Sequence, residues 1–369
     1  MERRRFGHWR GARLTSLDVP DVLLTGGAGF IGCGIAARLT ARGDRVVVVD
    51  CLHPQVHDGS RRPDALVSDA ELIVADVTEP STWDTVLSTI NPDIVVHLAA
   101  ETGTGQSFAE SSRHGLVNVV GTTRMLDALL ASGRVPSHIV LPSSRAVYGE
   151  GAWATKNGEH FYPAARSKAS LEAGEWDPVG PDGAPGVPLP SSSTWTVPAP
   201  TSVYGATKLA QEHVLRAWVA GTGTALSVLR FQNVYGPGQS LTNSYTGIVA
   251  LFGRLAKEGK PIDVYEDGRI VRDFVFIDDV VDSVIASIDR RPDTPRTADV
   301  GSGRPTTIDE VARIIAARVD APPPEVSGRW RVGDIRAASC DPDHAKETIG
   351  FVAKWSLEEG LDALLQWIG

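Results

Sequence analysis

The chain of 369 residues is poor in cysteine and has no long hydrophobic run. Its three cysteines, Cys33, Cys51 and Cys340, are scattered, which favours neither a disulfide framework nor a metal site and suits a reducing cytoplasm. No apolar run reaches the length of a membrane span, so we expect no membrane partner. Basic residues are outnumbered, with 36 Lys and Arg against 45 Asp and Glu and a net charge of −9. This balance argues against nucleic acid as the main partner.

The first twenty residues differ from the rest of the chain because they are rich in arginine. They also lack the apolar segment of a signal peptide. We therefore predict a disordered basic tail over residues 1–20. Its arginines are Arg3, Arg4, Arg5, Arg10 and Arg13.

A glycine-rich turn near the start of the chain is the strongest single motif. The apolar run Val22–Leu24 leads into glycines spaced G-x-x-G-x-x-G, and a helical pattern follows. The glycines are Gly26, Gly29 and Gly32. Such a turn brings backbone N–H groups and the positive end of a helix dipole to a pyrophosphate. A second apolar run ends in Asp50, at about the separation of the carboxylate that binds an adenosine ribose.

Alternating apolar strands and helical patterns predict an α/β fold, a doubly wound parallel (Rossmann) sheet with a smaller C-terminal α/β substrate domain. Residues 21–200 are assigned to the dinucleotide-binding domain, including a Gly-, Pro- and Ser-rich insertion at about 150–200. Residues 201–369 supply the remaining Rossmann elements, to about 235, and the substrate domain. The predicted strands are 22–24, 46–49, 72–75, 94–98, 139–141 and 225–229, and the main predicted helices are 31–42, 82–90, 116–130, 203–219, 278–287, 307–319 and 357–367.

Two further motifs carry acid–base chemistry. Tyr204 and Lys208 are four residues apart in a predicted helix, hence on one face. An ammonium group nearby, with an oxidised nicotinamide, would favour the phenolate, which could then take a proton from a sugar hydroxyl. Ser144 follows a predicted strand, where its hydroxyl could hydrogen-bond both the reacting oxygen and the phenol.

With these motifs the chain resembles the extended short-chain dehydrogenases/reductases, specifically the NAD-dependent sugar-nucleotide epimerase/dehydratase family. The resemblance implies a bound NAD, a nucleoside-diphosphate sugar as substrate, and a homodimer. It makes Ser144, Tyr204 and Lys208 the catalytic triad. The residues it implies for NAD binding are Gly26, Gly29, Phe30, Ile31, Gly32, Asp50, Asp76, Val77, Leu98, Ala99, Ala100, Asn118, Tyr204 and Lys208. It further implies that Asn233, Arg272 and Arg336 hold the substrate diphosphate, as guanidinium groups suit anions.

Departures from relatives narrow the activity to oxidation and re-reduction at carbon 4. Arg145 and Ala146 stand where dehydratases of this family carry an acid pair, and no cysteine lies in a motif of the 3,5-epimerases. In the detailed sequence of its motifs, the chain resembles dTDP-L-rhamnose 4-epimerases. This resemblance implies that Thr102, Thr104 and Arg145 face the sugar. In the insertion, Gly180 and Gly183 replace the cysteines of those relatives.

Three alternatives remain open from the sequence. The first is a UDP-hexose 4-epimerase, and the second is a 4-ketoreductase with net consumption of cofactor. Asp50 disfavours NADPH in the second case, because its charge would repel the extra phosphate. The third is a non-catalytic dinucleotide sensor, which would have no need of an intact triad.

Overall fold

The structure is a computed structural model that describes residues 19–57, 59, 61–241, 247–331 and 333–369. Of the predicted basic tail, residues 1–18 lie outside the described residues. Within the described part, no helix is long and apolar enough to cross a membrane.

The first half of the chain alternates strands and helices as predicted. Its elements are β1 (Asp21–Thr25), α1 (Phe30–Ala41), β2 (Arg45–Asp50), β3 (Glu71–Val74), α2 (Pro80–Thr89), β4 (Ile94–His97), α3 (Gln106–Ala109), α4 (Ser111–Gly115), a π-helical stretch (Leu116–Gly121), α5 (Thr122–Ala131), β5 (His138–Ser144) and a 3₁₀ turn (Arg145–Tyr148). The insertion contains β6 (Trp153–Ala154), β7 (His160–Phe161), α6 (Lys168–Glu172) and β8 (Val187–Pro188).

The second half returns to longer elements. They are α7 (Val203–Thr222), β9 (Ala225–Phe231), β10 (Asn233–Tyr235), α8 (Ile248–Lys257), β11 (Asp263–Val264), β12 (Val271–Phe276), α9 (Ile277–Asp289), β13 (Arg296–Val300), β14 (Pro305–Thr307), α10 (Ile308–Arg318), β15 (Glu325–Val326), α11 (Asp343–Ile349) and α12 (Leu357–Ile368).

A seven-stranded sheet in the order β3-β2-β1-β4-β5-β9-β13 is the frame of the molecule. All its neighbouring strands pair in parallel. Successive side chains point to opposite faces, so Leu24 belongs to one buried core and Leu23 to the other. Both faces are covered, which is why these strands read as continuous apolar runs. The predicted α/β fold with a doubly wound parallel sheet is confirmed.

One strand of this sheet was not expected. The sequence analysis ended the Rossmann elements near residue 235, whereas β13 returns from the C-terminal part to pair with β9. Ala298 and Val300 of β13 are fully buried, but Arg296, Thr297 and Asp299 interrupt the apolar pattern, so the sequence did not indicate a strand there. Smaller sheets, β10-β12-β14 and β11-β15, lie in the C-terminal part.

The insertion folds against the C-terminal part of the chain. Its β6 pairs with both β7 and β8. Ser191 exchanges backbone hydrogen bonds with the segment around Cys340, since its N–H donates to Ser339 O at 2.9 Å and its carbonyl oxygen accepts from Asp341 N–H at 2.9 Å. Gly180 and Gly183 form a tight turn, in which Gly183 N–H donates to Gly180 O at 2.9 Å. This hydrogen bond closes the turn.

Candidate active site

The carboxyl ends of the central strands surround an open cavity of about 700 Å³. The strand order changes direction between β1 and β4, and open parallel sheets bind ligands at that point. Most of the residues predicted from the sequence to form the site line this cavity. They are Gly26, Gly29, Phe30, Ile31, Gly32, Asp50, Asp76, Val77, Leu98, Ala99, Ala100, Thr102, Thr104, Ser144, Arg145, Tyr204, Lys208 and Asn233.

The glycine turn forms a cradle at the start of α1. Gly26 has a φ of +66°, and a Cβ there would lie 2.6 Å from the backbone nitrogen of Ala99. A Cβ on Gly32 would lie 2.5 Å from the backbone of Gly27, so this glycine lets α1 pack closely on the turn. At Gly29, the nearest described atom to such a Cβ is the Gly26 oxygen at 3.5 Å. Space therefore remains beside the first N–H groups of α1, where an anionic group can bind.

Two carboxylates line the cavity next to this cradle. Asp50 accepts hydrogen bonds from Ala28 N–H at 3.1 Å and from Leu52 N–H at 2.9 Å, which ties the end of β2 to the glycine turn. Asp76 accepts from Thr78 N–H at 2.8 Å. A carboxylate at the end of β2 can accept hydrogen bonds from ribose hydroxyls. The cradle, the helix N-terminus and these carboxylates together fit a dinucleotide.

Asn118 lies behind the wall of the cavity and is fully buried. Its oxygen accepts from Glu101 N–H at 2.7 Å, and its nitrogen donates to Glu101 O at 3.0 Å and to Thr207 Oγ1 at 2.9 Å. These contacts fasten the segment after β4 to α7. The π-helical stretch that contains Asn118 is a form often found at functional sites. A direct contact between Asn118 and a cofactor stays a prediction.

The predicted triad converges where α7 begins. The Ser144 hydroxyl is close enough to the Tyr204 phenol to lower its pKa. Lys208 Nζ donates to the carbonyl of Pro142 at 2.8 Å. Gly205 permits this approach, because a Cβ there would lie 2.5 Å from the carbonyl oxygen of Ala146. The start of α7 thereby packs directly on the 3₁₀ turn that follows Ser144.

Burial shifts the pKa values of the two ionisable members of the triad. It raises the pKa of Tyr204 above its usual 10.0, although the hydrogen bond from Ser144 and the charge of Arg145 act in the other direction. It lowers the pKa of Lys208 to about 8, and the charge of Glu212 opposes that change. Without a ligand, burial therefore raises the pKa of the Tyr204 phenol by more than its neighbours lower it. A ligand that brings positive charge close to Tyr204 would lower its pKa.

Arg145 also lines the cavity, together with Asn233. Its Nε donates to Asn233 Oδ1 at 3.2 Å. Burial, and next to it the charge of Arg272, lower the pKa of Arg145 to about 9. A buried guanidinium beside a phenol provides hydrogen-bond donors for an oxygen-rich ligand.

Comparison with known proteins assigns the family. The sequence profile of the NAD dependent epimerase/dehydratase family matches residues 22–173 and 177–301. The chain belongs to this family. The resemblance drawn from the motifs is thus confirmed, and the cofactor of the site is NAD.

Individual members of the family are similar over nearly their whole length. The chain is 57% identical to dTDP-L-rhamnose 4-epimerase of Burkholderia thailandensis, covering 95% of this chain and 96% of the relative. It is 29% identical to UDP-glucose 4-epimerase of Mycolicibacterium smegmatis, covering 92% and 95%. Among solved structures, UDP-glucose 4-epimerase of Thermus thermophilus in complex with NAD matches with a TM-score of 0.76 at 26% identity, covering 94% and 98%.

The two arginines predicted to hold a diphosphate are not among the residues that line the cavity of this epimerase-family site. Arg272 is buried and donates to the carbonyls of Val271 at 2.7 Å and Ile335 at 2.9 Å. Arg336 is also buried, and its guanidinium is surrounded by carboxylates. It donates to Asp177 at 2.7 Å, to Glu266 at 2.9 Å, and to the two oxygens of Asp267 at 2.7 and 2.9 Å.

These contacts give both arginines structural partners that the sequence did not indicate. Asp177 comes from the insertion, so Arg336 joins the insertion to the C-terminal part of the chain. Three carboxylates would have to release Arg336 before it could bind a phosphate. The diphosphate role of Arg272 and Arg336 stays a prediction.

The sequence analysis did not identify a group of polar residues that line the cavity near the predicted cofactor site. Arg113 donates to Glu101 at 2.6 Å and hydrogen-bonds His53 Nε2 at 3.0 Å, and all three line the cavity. They connect the loops after β2 and β4 across the mouth of the site. No motif marks them. Their only sequence signal is that His53 and Glu101 each follow shortly after a strand that leads into the site.

Proposed function

We propose that the chain is an NAD-dependent nucleoside-diphosphate-sugar 4-epimerase that interconverts dTDP-L-rhamnose and dTDP-6-deoxy-L-talose. The observation that carries the proposal is the convergence of Ser144, Tyr204 and Lys208 on the cavity that also contains the glycine cradle. The 57% identity to a dTDP-L-rhamnose 4-epimerase over almost the whole chain supports this substrate.

The residues of this chain divide the work as follows. The glycine turn, Asp50 and Asp76 would hold the adenosine half of NAD, and bound NAD would accept a hydride from carbon 4 and return it. Tyr204 removes the proton from the carbon-4 hydroxyl as phenolate and later gives it back. Ser144 donates a hydrogen bond to the same sugar oxygen and steadies its developing charge.

Epimerisation also requires that the sugar turn over between the two half-reactions. The ketone must present its opposite face to the cofactor, so the hexose has to be held loosely and the nucleotide firmly. We place the hexose against Thr102, Thr104 and Arg145, beside the triad. Arg145 stands where a dehydratase needs a carboxylic acid, and its guanidinium cannot serve as that acid. Elimination of water is therefore not expected.

We also propose a domain division and an assembly. The dinucleotide-binding part comprises residues 21–200, and the substrate-binding part comprises residues 201–369 once the remaining sheet elements are excluded. A homodimer would form through the helices over 116–130 and 203–219. Exposed apolar side chains on the first of these, Leu116, Val120 and Leu130, support the assignment. The free state of the three cysteines fits the predicted cytoplasmic location.

The test is turnover without added cofactor. Purified protein is incubated with dTDP-, UDP- and GDP-sugars, and the configuration at carbon 4 is followed by proton NMR. We expect dTDP-L-rhamnose to convert into its 4-epimer. Conversion of UDP-glucose alone would favour the UDP-hexose alternative, and strict dependence on added NADH or NADPH would favour a ketoreductase.

A matched pair of tyrosine variants tests the catalytic base. Tyr204→Phe should lose turnover and retain NAD, because the fold and the cradle are unchanged. Tyr162→Phe is the control, since Tyr162 lies in the insertion, is 43% exposed and does not line the cavity. Near-normal turnover by Tyr204→Phe would refute the assignment of the base.

A further inference from the structure

A buried ion pair lies directly behind the proposed triad. Glu212 is on α7, one helical turn after Lys208 and two turns after Tyr204, and is 1% exposed. Its carboxylate accepts from Arg230 Nε at 3.0 Å and from Arg230 Nη2 at 2.7 Å. It also accepts from the hydroxyl of Ser143 at 2.6 Å. The Glu212 carboxylate is thus buried and accepts three hydrogen bonds.

These contacts join α7 to the strand end that carries Ser144. Ser143 on β5 and Arg230 on β9 are partners in the parallel register of the sheet, so Glu212 ties the helix to both strands at once. Lys208 holds the residue before Ser143, through its hydrogen bond to the Pro142 carbonyl. Ser144 therefore follows two residues that are each fixed by a charged side chain of α7.

The charges around Lys208 come from several elements. Of the groups on the neighbouring strands, Arg230 of β9 is paired with Glu212, and His97 of β4 is close enough for the charge of Lys208 to act on it. His97 is neutral, because burial lowers its pKa to about 3 and both ring nitrogens are hydrogen-bonded to threonines. The charge of Arg145, which follows β5, acts on Tyr204. Among the described residues, Glu212 supplies the negative charge that acts on the Lys208 ammonium.

We propose that Glu212 is a positioning residue of the active site: its buried carboxylate is the counter-charge of the Lys208 ammonium and fixes the strand end that carries Ser144. The inference builds on the roles proposed above for Lys208 and Ser144. It also explains why a helix buries an acidic side chain beneath the catalytic face. An unpaired ammonium in the same place would lose its proton near neutral pH.

The first experiment measures the ionisation of Lys208 directly and needs no substrate. Protein with ¹³C-labelled lysine is titrated by NMR, and Lys208→Met identifies the Lys208 signal. In Glu212→Gln we expect the midpoint to fall by about one pH unit or more, the usual effect of losing a nearby opposite charge. Arg230→Gln is the matched control, because it breaks the same ion pair and leaves the carboxylate. Its midpoint should stay or rise.

The second experiment follows turnover against pH. The alkaline limit of kcat should move to lower pH in Glu212→Gln, and NAD content should be unchanged. If Glu212→Gln does not fold, the double variant with Arg230→Gln removes the unpaired guanidinium, and its Lys208 midpoint should lie below that of Arg230→Gln alone. Equal Lys208 midpoints in wild type and in the folded Glu212 variant would overturn the proposal. So would downward shifts of equal size in Glu212→Gln and Arg230→Gln. Loss of the proposed activity itself would leave the NMR titration interpretable.

Discussion

Replacing Gly205 with alanine should have two opposing effects on the stability of the protein. Alanine stabilises a helix interior by about 1 kcal/mol relative to glycine, so propensity alone predicts a gain. The structure predicts the opposite, because the added Cβ would lie 2.5 Å from the carbonyl oxygen of Ala146 and 3.0 Å from Pro200 Cβ. Ordinary contacts begin near 3.4 Å. The start of α7 and the turn after Ser144 would therefore have to separate by up to about 0.9 Å (3.4 minus 2.5).

The expected magnitude follows from this overlap. Overpacking of a tight contact costs about 1–3 kcal/mol, so after the gain in propensity we expect a net loss of about 1 kcal/mol. The same movement pulls Tyr204 away from Ser144, and a displacement of about 1 Å can cost about 100-fold in kcat. Stability is measured by urea unfolding, and kcat by NMR turnover of dTDP-L-rhamnose.

Gly221→Ala is the matched control in the same helix. No atom of the described residues lies within 4 Å of a Cβ placed there, so this variant should gain stability, by up to about 1 kcal/mol, and keep full activity. A Gly205→Ala protein that is as stable and as active as Gly221→Ala would refute the reasoning that close packing of α7 places Tyr204.

Three further predictions address the cofactor cradle, the buried lysine and the arginine behind the site. Gly26→Ala should lose bound NAD, because the added Cβ would collide with Ala99. Bound NAD is measured by absorbance of the purified protein. Gly43→Ala is the control: Gly43 also has a positive φ, +94°, but open space surrounds it, so this variant should keep NAD. The pKa of Lys208 in the folded protein, about 8, lies below its usual value of 10.5, so the unfolded state binds more protons between these pH values. The free energy of unfolding of wild type should therefore rise by about 3 kcal/mol relative to that of Lys208→Met as pH increases through this range. A difference in unfolding free energy that does not depend on pH would contradict this. Arg336→Gln should lower the free energy of unfolding by about 1.5–3 kcal/mol, because it removes charged hydrogen bonds that join the insertion to the C-terminal part of the chain, while the buried Glu266 keeps its ion pair with Arg166. A change in KM for the nucleotide sugar without loss of stability would instead support a diphosphate contact.

Most of the residues that line the predicted cofactor site could be identified from the sequence. Its residues sit in short contiguous motifs at strand ends, and the carboxyl ends of parallel strands meet at one edge of a sheet. The positions of Gly26 and Gly32 follow from local backbone geometry, and Tyr204 and Lys208 follow from helical spacing. Such information is carried within a few residues of chain, so one sequence suffices.

The long-range contacts of the site could not be predicted from the sequence, because they join distant segments. Arg336 matches an expected diphosphate arginine by resemblance, yet it is surrounded by Asp177, Glu266 and Asp267. Asn118, expected at the cofactor, also holds the loop after β4, and its contact with the cofactor stays a prediction. Arg113 carries no motif and still lines the cavity. Partners that are tens to hundreds of residues away leave no periodic signal.

By itself, the sequence indicated most strands and helices of the first half of the chain and the position of the glycine cradle, because these depend on local spacing. The three predicted catalytic side chains came from its resemblance to a known family. Only the tertiary structure decided the electrostatic setting of those side chains. Burial raises the pKa of Tyr204 and lowers that of Lys208, and Glu212 and Arg230 meet behind them from a helix and a strand. Desolvation and charge pairing depend on everything that surrounds a group in three dimensions, and that surrounding exists only once the chain has folded.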